Sequence, residues 1–239
     1  MHLPTPDVPD SPAQRQQDLA RWRRAFNLSL AAVLALVVVY ALQGVFDVAA
    51  WTVRPGRPDG WLGVLTAPLL HGSPAHLASN AFALLALGTV TGAQFPRALR
   101  GTLPLAWLGS GSAAWLLGSA GSHHLGASGV VSGLVFMLLM LGLLRRDRPS
   151  VAAAMLALAL FGGALLGVLP REPGISWQSH LGGAIAGAFG AWWLRAADPL
   201  PPRVRYSWED ELDDEAAPLP GEPVRIDAVR ISPRRGDWG

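Results

Sequence analysis

The sequence predicts an all-α polytopic membrane protein of six transmembrane helices with both termini cytoplasmic, and three observations lead there. Of its 239 residues, 51% are hydrophobic and only 15% charged, whereas about a quarter of a soluble domain is charged. Apolar runs recur near 26–46, 74–95, 102–119, 128–144, 151–169 and 177–194, most of them close to the roughly 20 residues that a ~30 Å hydrocarbon core requires. All 19 basic residues are arginine, and their distribution over the intervening loops has a sense.

The first run follows Arg21, Arg23 and Arg24 and extends from Phe26 to about Phe46. It is longer than the apolar region of a signal peptide, about 7–15 residues, and no small-residue cleavage site follows it, so a retained helix is expected. The amino-terminal segment carries four arginines, the second loop Arg97 and Arg100, the fourth loop Arg145, Arg146 and Arg148, and the carboxyl tail begins at Arg195. The alternate loops hold Arg54 and Arg57, then none, then Arg171. Arginine-rich short loops remain cytoplasmic, so the second, fourth and sixth spans all start on the outer side. The second and third spans are the less hydropathic because they carry His, Asn, Ser and Gly, as a buried functional face would.

Residues 1–25 are polar, proline-bearing and without an apolar period, and read as a cytoplasmic tail of low order; 26–196 form the membrane domain; 197–239 form a second disordered cytoplasmic tail with an acidic cluster from Glu209 to Glu215. The loop from Asp47 to Ser73 carries Trp51, Trp61, Pro55 and Pro58 and reads as an irregular segment at the membrane interface. Cysteine is absent, which excludes disulfides, thiolate metal sites and cysteine nucleophiles. A net charge of +2 on scattered arginines gives no footprint for nucleic acid. His123-His124, without nearby carboxylates, reads as a plain exposed pair and not as a metal site, and Gly109 to Ser112 as a packing face. No internal repeat supports a transporter.

Three segments carry the chemistry. His71-Gly-Ser-Pro-Ala-His76-Leu-Ala-Ser-Asn80 ends the long outer loop and opens the second span; Pro74 suits a first helical turn, so His76 and Asn80 share one face. In the fourth span Ser128 and Ser132 share a face, with Gly129 and Gly133 forming a small-residue strip beside them. In the sixth span His180 heads a similar strip, Gly183 and Gly187. Such strips let helices approach closely, and two of them packed together would bring Ser128 Oγ to the His180 imidazole. Ser128 to Leu144 is short, about 25 Å. With Arg145 and Arg146 at its inner end, Ser128 lies below the outer boundary, where a reactive serine needs a protein-lined, watered cavity.

Together these segments resemble the rhomboid family of intramembrane serine proteases, over the six-span core from about Phe26 to Leu194. Gly126-x-Ser128-Gly129 is similar to the nucleophile motif, His180-x-x-Gly183-x-x-x-Gly187 to the base helix, and His76-x-x-x-Asn80 with His71 upstream to the oxyanion region. The resemblance implies a rhomboid-like bundle in which Ser128 is the nucleophile and His180 the general base of a dyad. The sequence offers no third carboxylate, since no Asp or Glu lies in any span. It implies that His76, Asn80 and the Ser128 N–H hold the oxyanion, with His71, Gly126, Gly129, Gly183 and Gly187 in support. It also implies an endopeptidase without cofactor or metal, embedded in membrane lipid of a bacterial plasma membrane, cleaving single-span membrane proteins near the outer face through an acyl-enzyme. The alternative is a catalytically silent relative that binds transmembrane helices; its signature would be loss of the serine or base. The chain departs from the family pattern twice: Ser132 stands where many members place an aromatic residue stacking on the base, and Leu62-Gly63 where a Trp-Arg pair usually precedes Thr66.

Overall fold

The computed structural model describes residues 7–9, 12–170, 174–199 and 203–205. Six helices account for most of the larger compact unit: α1, Pro12–Leu42; α2, Pro74–Gln94; α3, Pro96–Leu117; α4, Ser128–Arg145; α5, Arg148–Phe161; and α6, Trp177–Leu194. Proline at the first or second position opens α2, α3 and α5, where its missing N–H costs nothing and its fixed φ suits the first turn. The side chains of Ser73, Asp147 and Ser176 cap α2, α5 and α6 by accepting from His76, Ser150 and Ser179 N–H. The α4 helix stops at Arg146, which turns left-handed at φ 56 while its N–H still reaches the Gly142 carbonyl. A separate small unit contains the parallel pairing of Asp7–Pro9 with Arg203–Arg205.

Three boundaries differ from the expectation. The first helix starts at Pro12, so residues 12–25 belong to it and not to a tail of low order. Their polar side chains hide the apolar period, yet Gln, Arg, Leu and Ala are good helix formers with no breaker among them. The third helix starts at Pro96, six residues before Thr102, and carries Pro104 inside it. The fifth breaks at Gly162-Gly163 and resumes as a single turn, Ala164–Gly167. Residues 7–9 and 203–205, also expected in the disordered tails, are strands, and the acidic cluster from Glu209 lies outside the described residues.

Among the described residues two helices are long and apolar enough to cross a membrane, α1 with its terminal turn to Val45 and α4. They differ in burial. The α1 window is 22% buried and that of α4 61%, so α4 is the helix the others surround. It packs most closely on α6, then on α5 and α3, while α6 also packs along α3. Below Ser128, the α4 side chains Leu134, Val135, Met137, Leu138 and Leu141 form the centre of the apolar core, with Leu87, Phe95 and Ala157.

The α4–α6 contact has no side chain between the backbones. A Cβ on Gly183 would overlap the Gly129 carbonyl, and one on Gly187 the Gly133 carbonyl. A Cβ on Gly129 would strike the Ser110 hydroxyl of α3, and one on Gly109 would sit 2.8 Å from the Ala186 Cβ. The third helix thus uses its Gly109–Ser112 segment as a packing face against both neighbours.

The loop from Asp47 to Ser73 is a series of single turns, Val48–Trp51, Pro58–Gly60, Gly63–Thr66 and Ala67–Leu69. Two tryptophans of α3 fasten it, Trp107 Nε1 donating to the Leu65 carbonyl at 3.0 Å and Trp115 Nε1 to the Arg57 carbonyl at 2.9 Å. Gly63 lies against the Thr52–Val53 backbone with no space for a Cβ. A side chain at position 63, an arginine included, would overlap that backbone.

Candidate active site

Ser128 and His180 stand at the starts of two helices, as the first residue of α4 and the fourth of α6. Because α4 and α6 lie backbone to backbone, these two side chains meet: His180 Nε2 is 2.8 Å from Ser128 Oγ. The other ring nitrogen, Nδ1, is 3.0 Å from the Gly167 carbonyl oxygen. A carbonyl only accepts, so Nδ1 carries the hydrogen, and in the neutral ring Nε2 is the acceptor for the Ser128 hydroxyl. The tautomer that a general base requires is therefore set by a backbone group in the turn after α5. Both side chains are half-buried.

His76 approaches from α2. Its ring lies against Gly126, which sits at φ 113, and a Cβ there would come within 2.5 Å of His76 Cε1 and 2.7 Å of Nε2. Gly126 is thus required both for its left-handed backbone and for the approach of the imidazole to the segment leading into Ser128. Asn80, one turn further along α2, is 4% exposed, and its Nδ2 is buried without a hydrogen-bond partner. An unpaired buried amide donor costs about 1–3 kcal/mol.

His71 is the least exposed of the described histidines, 1% exposed, with neither ring nitrogen partnered. Its ring packs edge-on against His76 with centroids 5.1 Å apart. Burial, then the neighbouring His76, pushes its pKa down from 6.5 to about 4, so it is neutral at physiological pH. Its backbone is pinned by Gln43 just beyond α1, whose Nε2 donates to the His71 carbonyl at 2.8 Å while its Oε1 accepts the His71 N–H at 2.9 Å. Gln43 escapes sequence reasoning because a lone polar residue at the end of an apolar run carries no periodic signal.

The structure thus brings Ser128 and His180 into direct contact, sets His76 against Gly126 and stacks His71 on His76. Among the contacts resolved, none joins Asn80 to Ser128 directly. Ser132 is 3% exposed on α4, and the hydrogen bond from His180 to Gly167 does the orienting that an aromatic ring performs elsewhere. The His123-His124 pair is not plainly exposed. His123 is open but its Nδ1 is 2.7 Å from the Thr52 hydroxyl, and His124 is 8% exposed with both ring nitrogens hydrogen-bonded.

Fold and site define a helical membrane protein with a serine and histidine hydrogen-bonded at one end of a glycine-packed helix pair. The chain belongs to the rhomboid family: the rhomboid domain matches residues 58–197, more than half its length. This is a family of intramembrane protease type, and membership together with the two membrane-length helices makes the chain an integral membrane protein. It is 39% identical over 155 residues to Uncharacterized protein Rv1337 of Mycobacterium tuberculosis, covering 61% of this chain and 64% of that one. It is 36% identical over 154 residues to Uncharacterized protein ML1171 of Mycobacterium leprae, covering 61% of each. The match therefore spans less than two thirds of the length of these curated relatives.

Proposed function

We propose that the protein is an intramembrane serine endopeptidase of six spans with both termini cytoplasmic, residing in a bacterial plasma membrane and cleaving single-span membrane proteins near the outer face. The observation that carries this reading is the 2.8 Å contact between Ser128 Oγ and His180 Nε2, in the tautomer fixed by Gly167. As Ser128 Oγ attacks the scissile carbonyl carbon, its proton passes to His180 Nε2 and the carbonyl oxygen becomes an oxyanion. The imidazolium retains its Nδ1–H on the Gly167 carbonyl, which stabilises the positive charge without a carboxylate. The side chains of His76 and Asn80 and the Ser128 N–H receive the oxyanion, groups that typically contribute about 10²- to 10³-fold each.

Collapse of the tetrahedral intermediate breaks the C–N bond, and His180 Nε2–H protonates the leaving amine. Water, activated in turn by His180, then hydrolyses the acyl-Ser128 ester. The reading of six spans rests on the alternating arginine loops and on the start of α2, α4 and α6 at the end that carries His76, Ser128 and His180. A substrate helix must unwind locally to present an extended carbonyl, which favours segments with glycine or other helix-weakening residues.

The test is cleavage of a panel of single-span proteins co-reconstituted with the enzyme in proteoliposomes, with products mapped by mass spectrometry. Cuts inside or beside the span that vanish in Ser128→Ala are expected. Binding of the same proteins with no cut by wild type across the panel would favour the catalytically silent, helix-binding alternative.

A further inference from the structure

Outside the dyad one hydrogen-bonded chain joins the two segments that carry it. His124 stands four residues before Ser128, in the connection from α3 to α4, and Ser176 caps α6 four residues before His180. Their side chains meet, with His124 Nδ1 2.7 Å from Ser176 Oγ. The ring is held from its other side as well, by Ser122 Oγ at 2.9 Å from Nε2.

The direction of these bonds follows from the donors available. The Ser122 hydroxyl hydrogen points to the Ser119 carbonyl at 2.6 Å, so Ser122 Oγ accepts from His124 Nε2–H. In the neutral ring that leaves Nδ1 to accept the Ser176 hydroxyl hydrogen. Burial, then the adjacent His123, pushes the His124 pKa below its usual value, which keeps the ring neutral. The backbone under it is fixed, because His124 exchanges both peptide hydrogen bonds with Val53 at 3.0 Å, and the Gly126 N–H donates to the Ala67 carbonyl at 2.8 Å. On the α6 side Ser176 Oγ lies 2.8 Å from Ser179 Oγ; with its one hydrogen on His124 Nδ1, it accepts there from the Ser179 hydroxyl. The reaction uses none of these groups.

We propose that His124 and Ser176 are positioning residues that clamp the nucleophile segment to the head of the base helix and so set the Ser128–His180 separation. The glycine strips fix how near α4 and α6 approach but leave them able to slide; a directional bond across their outer ends removes that freedom. Displacements of about 1 Å at a reacting pair cost roughly 10²-fold in rate, so one side-chain bond at this place has leverage. The proposal rests on the protease reading for its catalytic consequence, and its geometry can be tested apart from activity.

The experiment uses the full chain labelled with ¹⁵N-histidine in detergent, with the six histidines assigned by single substitution, together with the rate of fluorophosphonate labelling. In Ser176→Ala the ring-nitrogen resonances of His124 and His180 are expected to move and labelling to slow by about tenfold or more, while Ser176→Thr restores both. In a His124→Leu background the additional effect of Ser176→Ala on labelling is expected to vanish. A loss of helix capping alone would persist there and would contradict the clamp. Unmoved His180 resonances in Ser176→Ala overturn the proposal, as does unchanged labelling in that variant when wild type labels. Resonances that move as expected in a wild type that labels no more than Ser128→Ala would sink the protease reading and leave the clamp standing.

Discussion

The His180 imidazole faces two oxygens of different kinds, a carbonyl that can only accept and a hydroxyl that can do either, and this asymmetry decides which nitrogen is basic. Gly167 offers its carbonyl because the turn Ala164–Gly167 brings it there, and because it has no side chain: a Cβ would stand 3.0 Å from His180 Nδ1. Gly167→Ala is expected to push the ring out of line and slow fluorophosphonate labelling by about tenfold or more, with little change in thermal stability. His71 makes a different prediction. Its pKa is about 4 in the folded state against 6.5 ordinarily, so the unfolded chain binds the proton more readily. Stability from this residue is complete above pH 6.5 and is lost as the pH falls toward about 4. Thermal melts across that window should show a drop that is smaller in His71→Gln. The meeting of Ser128 with His180 was legible in the sequence because each is a polar residue beside a helix start in an apolar run. Gly167, Gln43 and His124 were not, since their roles depend on loops whose paths no local pattern encodes.

Between helices, the contact of α4 with α6 depends on four glycines at helical spacing. Adding a methyl at Gly183 or Gly187 meets a carbonyl of the facing backbone rather than a side chain that can turn aside. Each alanine substitution is expected to cost about 1–3 kcal/mol in detergent unfolding. By moving α6 away from α4, Gly183→Ala should also reduce labelling about 100-fold. This strip was readable from sequence, because small residues at i, i+4 on an apolar helix have few other uses. The start of α1 was not readable from an apolar run, since residues 12–25 supply helix propensity without hydropathy. The break in α5 was also missed: the run 151–169 reads as one continuous span, whereas the helix stops at Phe161 and resumes at Ala164.

Across the whole bundle, the reacting groups gather at one end and a charged knot closes the other. Asp198, 4% exposed, accepts from the Arg97 N–H at 3.0 Å and the Ala98 N–H at 2.9 Å, capping α3 from beyond α6. Arg145 at the end of α4 donates to the Asp198 carbonyl at 2.6 Å, pairs with Asp147 at 2.8 Å and lies over the Phe95 ring. Asp198→Ala strands these helix-terminal donors and is expected to cost about 1–3 kcal/mol, Asp198→Asn less, with labelling of the folded fraction unchanged because the site is at the opposite end. The sequence showed Arg145 as a topology marker; its second use, as a tie from the end of α4 to the Asp198 carbonyl, depends on a contact across 53 residues that no window captures. The central claim is that Ser128 is activated by His180, and fluorophosphonate labelling of the purified full chain tests it most directly. Wild type should form a single adduct mapped to Ser128, absent in Ser128→Ala and slowed about 10²- to 10⁴-fold in His180→Ala. Wild-type labelling no greater than that of Ser128→Ala, in protein whose helices and melting are intact, would contradict it.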